Sequence, residues 1–226
     1  MTSGRTTHWR KASIRAAVVS GNDPATPALA ARILQAGGLV VIPTDTVYGI
    51  AASVDRPDAV AQIYVAKARP LDRPIPVLIS ELGGLRRLTH DVDPEVERML
   101  LVTWPGALTA VLPAVDWLAP EIVGDTEHVG LRMPDDDIAR AIIRQTGGAL
   151  AVTSANRSGQ TEARGAADAV ACLGEQVDLI VDGGPSPGGT PSTVLRFAGR
   201  RFSVLRHGAL DPNEITHRFP ALTPDR

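Results

Sequence analysis

Apolar residues in this chain come in short bursts, and the bursts follow two different periods. Leu29, Ile33 and Leu34 fall on one helical face, with Asp23-Pro24 or Thr26-Pro27 placed to cap and open the helix and Gly37-Gly38 to stop it. Residues 39–42 are continuously apolar, as in a strand covered on both faces. The same reasoning predicts helices over 58–66, 94–102 (with Asp93 as cap), 136–145 (ended by Gly147-Gly148) and 165–173. It predicts strands over 76–79, 109–112, 129–133, 150–153 and 179–182, and an edge strand over 16–19. Residues 193–197 and 201–206 read as a hairpin across Ala198-Gly199-Arg200, and the last 15 residues as a weak helix and a polar tail. Strands alternating with helices predict an α/β domain, and the hairpins make its sheet mixed.

Composition narrows the class. With 226 residues, 44% hydrophobic and 21% charged, the chain is long enough for one sizeable core and too apolar for disorder. Its apolar runs are too short to span a bilayer, which predicts no membrane association. A polar, basic start without an apolar stretch predicts no secretory signal and a cytoplasmic location. The single cysteine, Cys172, excludes an internal disulfide framework and reads as a small core residue. A net charge of -2 argues against gripping nucleic acid by bulk charge. Lys11 and Lys67 are the only lysines among 23 basic residues, which makes Lys67, inside a dense polar motif, conspicuous.

The polar motifs gather at strand ends, where open α/β sheets bind ligands. Thr44-Asp45-Thr46 follows 39–42, Arg132 ends 129–131, and Ser154-Ala155-Asn156 follows 150–153. Ser192 opens one strand and Arg206 closes another, while Lys67 and Arg69 lie at a helix end. One cleft that collected these side chains would be rich in hydroxyls, amides and cations. Such a set suits a polyanion and a carboxylate, handled by positioning and charge neutralisation. Each piece alone also fits a plainer role as turn, cap or solvated helix end. The histidines His8, His90, His128, His207 and His217 have no metal spacing, so no metal site is expected. Gly184-Pro185-Ser186-Pro187-Gly188 imitates a nucleophile elbow, but Pro187 has no N–H for an oxyanion hole. Neither a P-loop nor a dinucleotide fingerprint occurs.

Taken together, Pro43-Thr44-Asp45-Thr46-Val47-Tyr48-Gly49 and Lys67-Ala68-Arg69-Pro70 resemble the YrdC/Sua5 family, the threonylcarbamoyl-AMP synthases. Four more matches follow in family order: Pro105-Gly106-Ala107-Leu108-Thr109, Val129-Gly130-Leu131-Arg132-Met133-Pro134, Thr153-Ser154-Ala155-Asn156-Arg157-Ser158-Gly159, and Pro191-Ser192-Thr193-Val194 with Arg206-His207-Gly208. The resemblance implies a YrdC-like twisted mixed sheet flanked by helices, with a concave cationic cleft. With the pattern along the chain, this divides the sequence into an extension over residues 1–20, a YrdC-like domain over 21–210 and a tail over 211–226. It also implies a reaction, in which L-threonine, bicarbonate or CO2, and ATP with Mg2+ give threonylcarbamoyl-AMP and pyrophosphate. The product would feed a threonylcarbamoyl transferase complex that makes t6A at tRNA position 37.

By the same resemblance, Thr46, Arg132 and Ser192 would hold threonine. Lys67, Arg69, Ser154, Asn156 and Arg206 would hold ATP, joined by Thr109 and Glu162, with Lys67 and Arg69 the catalytic cations. Many members carry an Asn and a His after the Lys-x-Arg-Pro motif, near where Arg73 and Leu78 stand here. The competing expectation is a module of the same fold that binds double-stranded RNA or tRNA. Carbamoyl transfer to another acceptor is a third, disfavoured because such domains usually sit in longer chains with metal-binding fingers.

Overall fold

The computed structural model describes residues 16–225. The expected extension over 1–20 falls outside them as far as residue 15. Among the described residues, the strands form one mixed sheet of 11 in the order β1-β8-β2-β3-β7-β4-β6-β5-β9-β10-β11. In chain order they are β1 (Ala17–Ser20), β2 (Val40–Ile42), β3 (Gly49–Ser53), β4 (Val77–Ile79), β5 (Leu108–Pro113), β6 (His128–Arg132), β7 (Ala149–Ser154), β8 (Leu179–Asp182), β9 (Thr193–Ala198), β10 (Arg201–Arg206) and β11 (Thr223–Pro224). Pairs β2/β3, β3/β7, β4/β7, β5/β6 and β9/β10 are antiparallel, and the other five are parallel.

The helices are α1 (Thr26–Gln35), α2 (Pro57–Lys67), α3 (Gly83–Leu88), α4 (Pro94–Thr103), α5 (Pro120–Val123), α6 (Asp137–Thr146), α7 (Ala166–Leu173) and α8 (Pro212–Arg218). The predicted cap holds at α4, where Asp93 accepts from Glu95 N at 2.8 Å; Asp136, expected as the first residue of α6, is instead its cap and accepts from Ala139 N at 2.8 Å. Gly147, at φ 117°, ends α6 in the left-handed conformation that glycine adopts without penalty. At α1 the cap position is Ala25, without a side-chain bond of its own, and Asp23, two residues before it, accepts from Ala25 N. Cys172 is partly buried and packs against the core.

Strand β3 and helix α3 are two of the elements that the sequence pattern does not predict. Gly49-Ile50-Ala51-Ala52-Ser53 has little β-propensity, yet β3 is central and fully buried. Its small residues permit a close approach, since a Cβ at Gly49 would stand 2.5 Å from Val152 Cγ1. Helix α3 opens with Gly83-Gly84, poor helix formers, and is held by the burial of Leu85 and Leu88.

Side-chain alternation divides the core between the two faces of the sheet. Val41, Ile50, Ala110, Leu131 and Leu195 pack on one face, under α2, α4, α5, α7 and α8. Val40, Ile42, Ala51, Leu150 and Val152 pack on the other, under α1 and α6. Those two helices cover the β8-β2-β3-β7-β4 part of that second face. The part over β6, β5, β9 and β10 is the floor of a cavity. No helix among the described residues is long and apolar enough to cross a membrane.

Candidate functional site

The floor follows directly from strand parity. Thr109 and Val111 of β5, His128, Gly130 and Arg132 of β6, and Val194 and Arg196 of β9 all point to this uncovered face. The cavity they line has a volume of about 420 Å³. Its walls add Thr44 and Thr46 from the loop after β2, Arg69 from the loop after α2, Ser154 from the end of β7, Glu162 from the loop after it, and Arg206 from β10. Eight of the ten site residues expected from sequence therefore meet in one place: Thr46, Arg69, Thr109, Arg132, Ser154, Glu162, Ser192 and Arg206. Lys67 and Asn156 do not line it; they lie just behind the wall, 1% and 4% exposed.

Three polar networks fix these side chains. In the first, Arg132 donates from Nε to Gly106 O (2.9 Å), from Nη1 to Thr46 Oγ1 (2.8 Å) and from Nη2 to Asp45 Oδ1 (2.6 Å). Asp45 Oδ1 also accepts from Asp135 N at 3.0 Å. Thr44 Oγ1 donates to Val47 O at 2.6 Å and accepts from Thr46 N at 3.2 Å, which folds the Thr44-Asp45-Thr46 turn onto itself. A guanidinium has five N–H donors, so Arg132 keeps two beyond those three bonds.

In the second network, Thr109 Oγ1 and Ser192 Oγ are 2.8 Å apart, and Arg206 donates to Ser192 O (2.8 Å) and Ser192 Oγ (3.1 Å). The hydroxyl expected at threonine and the guanidinium expected at ATP are thus hydrogen-bonded to each other. The third network joins Lys67 to Ser154 and Asn156.

Arg69 is held separately. It donates to Arg73 O at 2.8 Å and Pro74 O at 3.0 Å, and its guanidinium carbon lies 6.0 Å from the centre of the Tyr64 ring. Where the resemblance implied Asn and His side chains, this chain offers the Arg73 backbone carbonyl and the apolar wall residue Leu78. Burial, the largest influence on each, lowers the pKa of Arg69, Arg132 and Arg206 from the ordinary guanidinium value; Asp45 opposes it at Arg132, and Glu162 at Arg206.

Tyr48 has a structural task at the site. Its hydroxyl donates to Gly184 O at 2.6 Å and accepts from Gly183 N at 3.0 Å. Those residues begin the Pro/Gly loop that imitated a nucleophile elbow. The loop is a strap laid on the Asp45–Thr46 backbone: Gly188 N donates to Asp45 O at 3.0 Å and Gly189 N to Thr46 O at 2.8 Å. Asp45 and His128 were also missed as site residues. His128 shares strand parity with Arg132 two steps away, which was a readable signal. Its Nδ1–H donates to Thr126 O, leaving Nε2 for other partners.

Comparison with known proteins gives one consistent relationship. The Sua5/YciO/YrdC family model, described as telomere recombination, matches residues 32–208. The chain is 39% identical over 198 residues to the threonylcarbamoyl-AMP synthase of Bacillus subtilis, covering 87% of this chain and 57% of that protein. Against the threonylcarbamoyl-AMP synthase of Pyrococcus abyssi it is 34% identical, covering 83% of this chain and 55% of that protein. It therefore spans little more than half the length of these two relatives. Among solved structures, P. abyssi Sua5 complexed with L-threonine aligns with a TM-score of 0.88 at 30% identity, covering 94% of this chain and 63% of that one. E. coli YciO has the same fold, with a TM-score of 0.77 at 23% identity over 91% of this chain and 98% of that one.

Proposed function

The chain belongs to the Sua5/YciO/YrdC family, and from that premise we propose that it is a threonylcarbamoyl-AMP synthase. It would convert L-threonine, bicarbonate or CO2, and ATP into threonylcarbamoyl-AMP and pyrophosphate. The product would supply a threonylcarbamoyl transferase complex acting at tRNA position 37, in the cytoplasm. The observation that carries the reading is the meeting of Thr46, Arg132 and Ser192 with Arg69 and Arg206 around one cavity, in a chain similar to a Sua5 solved with L-threonine.

In this reading the cavity is a cationic cleft. Arg132, held rigid by three bonds, offers its remaining N–H groups to the threonine carboxylate. Threonine's neutral amine adds to CO2, giving a carbamate and releasing a proton. A carbamate oxygen attacks the α-phosphorus of ATP in line, and pyrophosphate leaves as the new P–O bond forms. Arg69 and Arg206 offset charge on the phosphates, and Ser154, Thr109 and Glu162 complete the nucleotide wall. Lys67 and Asn156 support that wall from behind.

Among the described residues no group of three or more His, Cys, Asp or Glu is placed to hold a metal. In this reading Mg2+ arrives on the ATP phosphates, where it would neutralise phosphate charge.

The test is pyrophosphate release with each substrate omitted in turn. The reading predicts release only when ATP, L-threonine and bicarbonate are all present. Release indifferent to threonine and bicarbonate overturns it. Salt-sensitive binding of double-stranded RNA or tRNA in that case would favour the competing function.

A further inference from the structure

Lys67 was expected to meet phosphate charge, yet its ammonium is turned away from the cavity. Helix α2 ends at Ala68, whose backbone is left-handed (φ 49°, ψ 46°). Arg69 N closes the turn onto Tyr64 O at 2.9 Å. The reversal sends the two cations of the motif in different directions: Arg69 to the cavity wall, Lys67 into the body of the protein.

The Lys67 ammonium donates to Ser154 O, to Asn156 O at 2.6 Å and to Asn156 Oδ1 at 3.2 Å. An ammonium has three N–H groups, so this set engages all of them. The backbone carbonyl of Lys67 accepts from Ser158 N at 2.9 Å, so the residue grips the same loop at both ends. Because Asn156 Oδ1 faces Lys67, its Nδ2 faces the other way and donates to Gln160 O at 2.5 Å. A continuous line of bonds therefore runs from Lys67 through Asn156 to Gln160, two residues before Glu162 in the cavity wall. Ser154, at the other end of the turn, is itself in the wall.

We propose that Lys67 is a positioning residue, acting on the nucleotide only through the Ser154–Asn156 turn and the loop to Glu162, and not by touching phosphate. This rests on the synthase reading for what the loop does, but not for the tether itself. The two cations of the motif then have separate tasks: Arg69 meets the substrate, and Lys67 fixes the Ser154–Glu162 wall.

Two measurements test it. The first uses no substrate: amide hydrogen exchange of residues 154–162 in wild type and Lys67→Met, a change that keeps the apolar stem and removes the donors. We expect exchange in that loop to quicken tenfold or more while β4, β6 and α6 are unchanged. The second is a double-mutant cycle on kcat and ATP KM in pyrophosphate release, with Lys67→Met, Asn156→Ala and both together. If Lys67 acts through Asn156, the double variant loses no more than the worse single variant, and Lys67→Arg restores little because its planar fork does not fit three acceptors set for an ammonium. Multiplying losses in the cycle, or a loop whose exchange is unchanged in Lys67→Met, overturns the proposal. A wild type that releases no pyrophosphate defeats the functional reading instead, and the exchange experiment alone then decides the tether.

Discussion

Replacing Arg132 with lysine keeps the charge and removes the fork. The guanidinium reaches Gly106 O, Thr46 Oγ1 and Asp45 Oδ1 at 2.9, 2.8 and 2.6 Å, from a side chain that is 7% exposed. A lysine ammonium at the end of a shorter, non-planar stem reaches Asp45 and leaves the other two acceptors without this donor. Each lost bond to a charged donor is worth about 1.5–3 kcal/mol, and relaxation or an entering water recovers part of the sum. The expected loss of stability is about 3 kcal/mol, which in a chain of this size lowers Tm by roughly 6–12 °C.

The effect on ligand is separable, because Arg132→Lys stays folded well below its Tm. Calorimetric titration with L-threonine there should show affinity at least about tenfold weaker, equivalent to 1.4 kcal/mol. Two companions sharpen the test. Arg132→Ala strands the partly buried Asp45 carboxylate and should lose roughly 3–5 kcal/mol. Adding Asp45→Asn to it should recover part of that loss, since no uncompensated charge remains. An Arg132→Lys protein with wild-type Tm and wild-type threonine affinity would refute the reasoning.

Further outcomes follow from the same geometry. Tyr48→Phe removes the hydroxyl that bridges Gly183 and Gly184; denaturant unfolding should show a loss of about 1–3 kcal/mol, with faster proteolysis in the 183–191 strap. Gly188→Ala places a Cβ 2.7 Å from Asp45 O, so the strap must lift, and threonine affinity should fall several-fold by calorimetry. Lys67 titrates at about 8, lowered from 10.5 first by burial and then by Arg69. Its charged form therefore burdens the fold fully below pH 8. The unfolded chain binds more protons between about pH 8 and 10.5, so stability from this group rises with pH across that window. Urea unfolding should accordingly show wild type gaining on Lys67→Met from pH 8 to 10; a flat difference would contradict the shift.

Much of this arrangement was readable from residue order, and the failures have physical causes. The strands 39–42 and 179–182 announce themselves because doubly buried strands are continuously apolar, and α6 because Asp136 and Gly147 mark both ends. Strand β3 did not, because a close approach to Val152 selects glycine and alanine, which carry no strand signature. The separation of Lys67 from Arg69 hangs on a left-handed Ala68, and alanine gives no local sign of that conformation. The role of Tyr48 was hidden for another reason: its partners are backbone groups of Gly183 and Gly184, some 135 positions away. Side-chain motifs are visible in a sequence; which carbonyl they meet is set by the fold.

The central claim is that threonine, bicarbonate and ATP meet in this cavity and are joined. Incubation of the full chain with ATP, L-threonine and 13C-bicarbonate, with the products resolved by mass spectrometry, tests it most directly. Wild type should form a threonylcarbamoyl-AMP ion one mass unit heavier than with ordinary bicarbonate, and Arg69→Ala and Arg132→Ala much less of it. Adenylate and pyrophosphate formed without a labelled threonine adduct would contradict it.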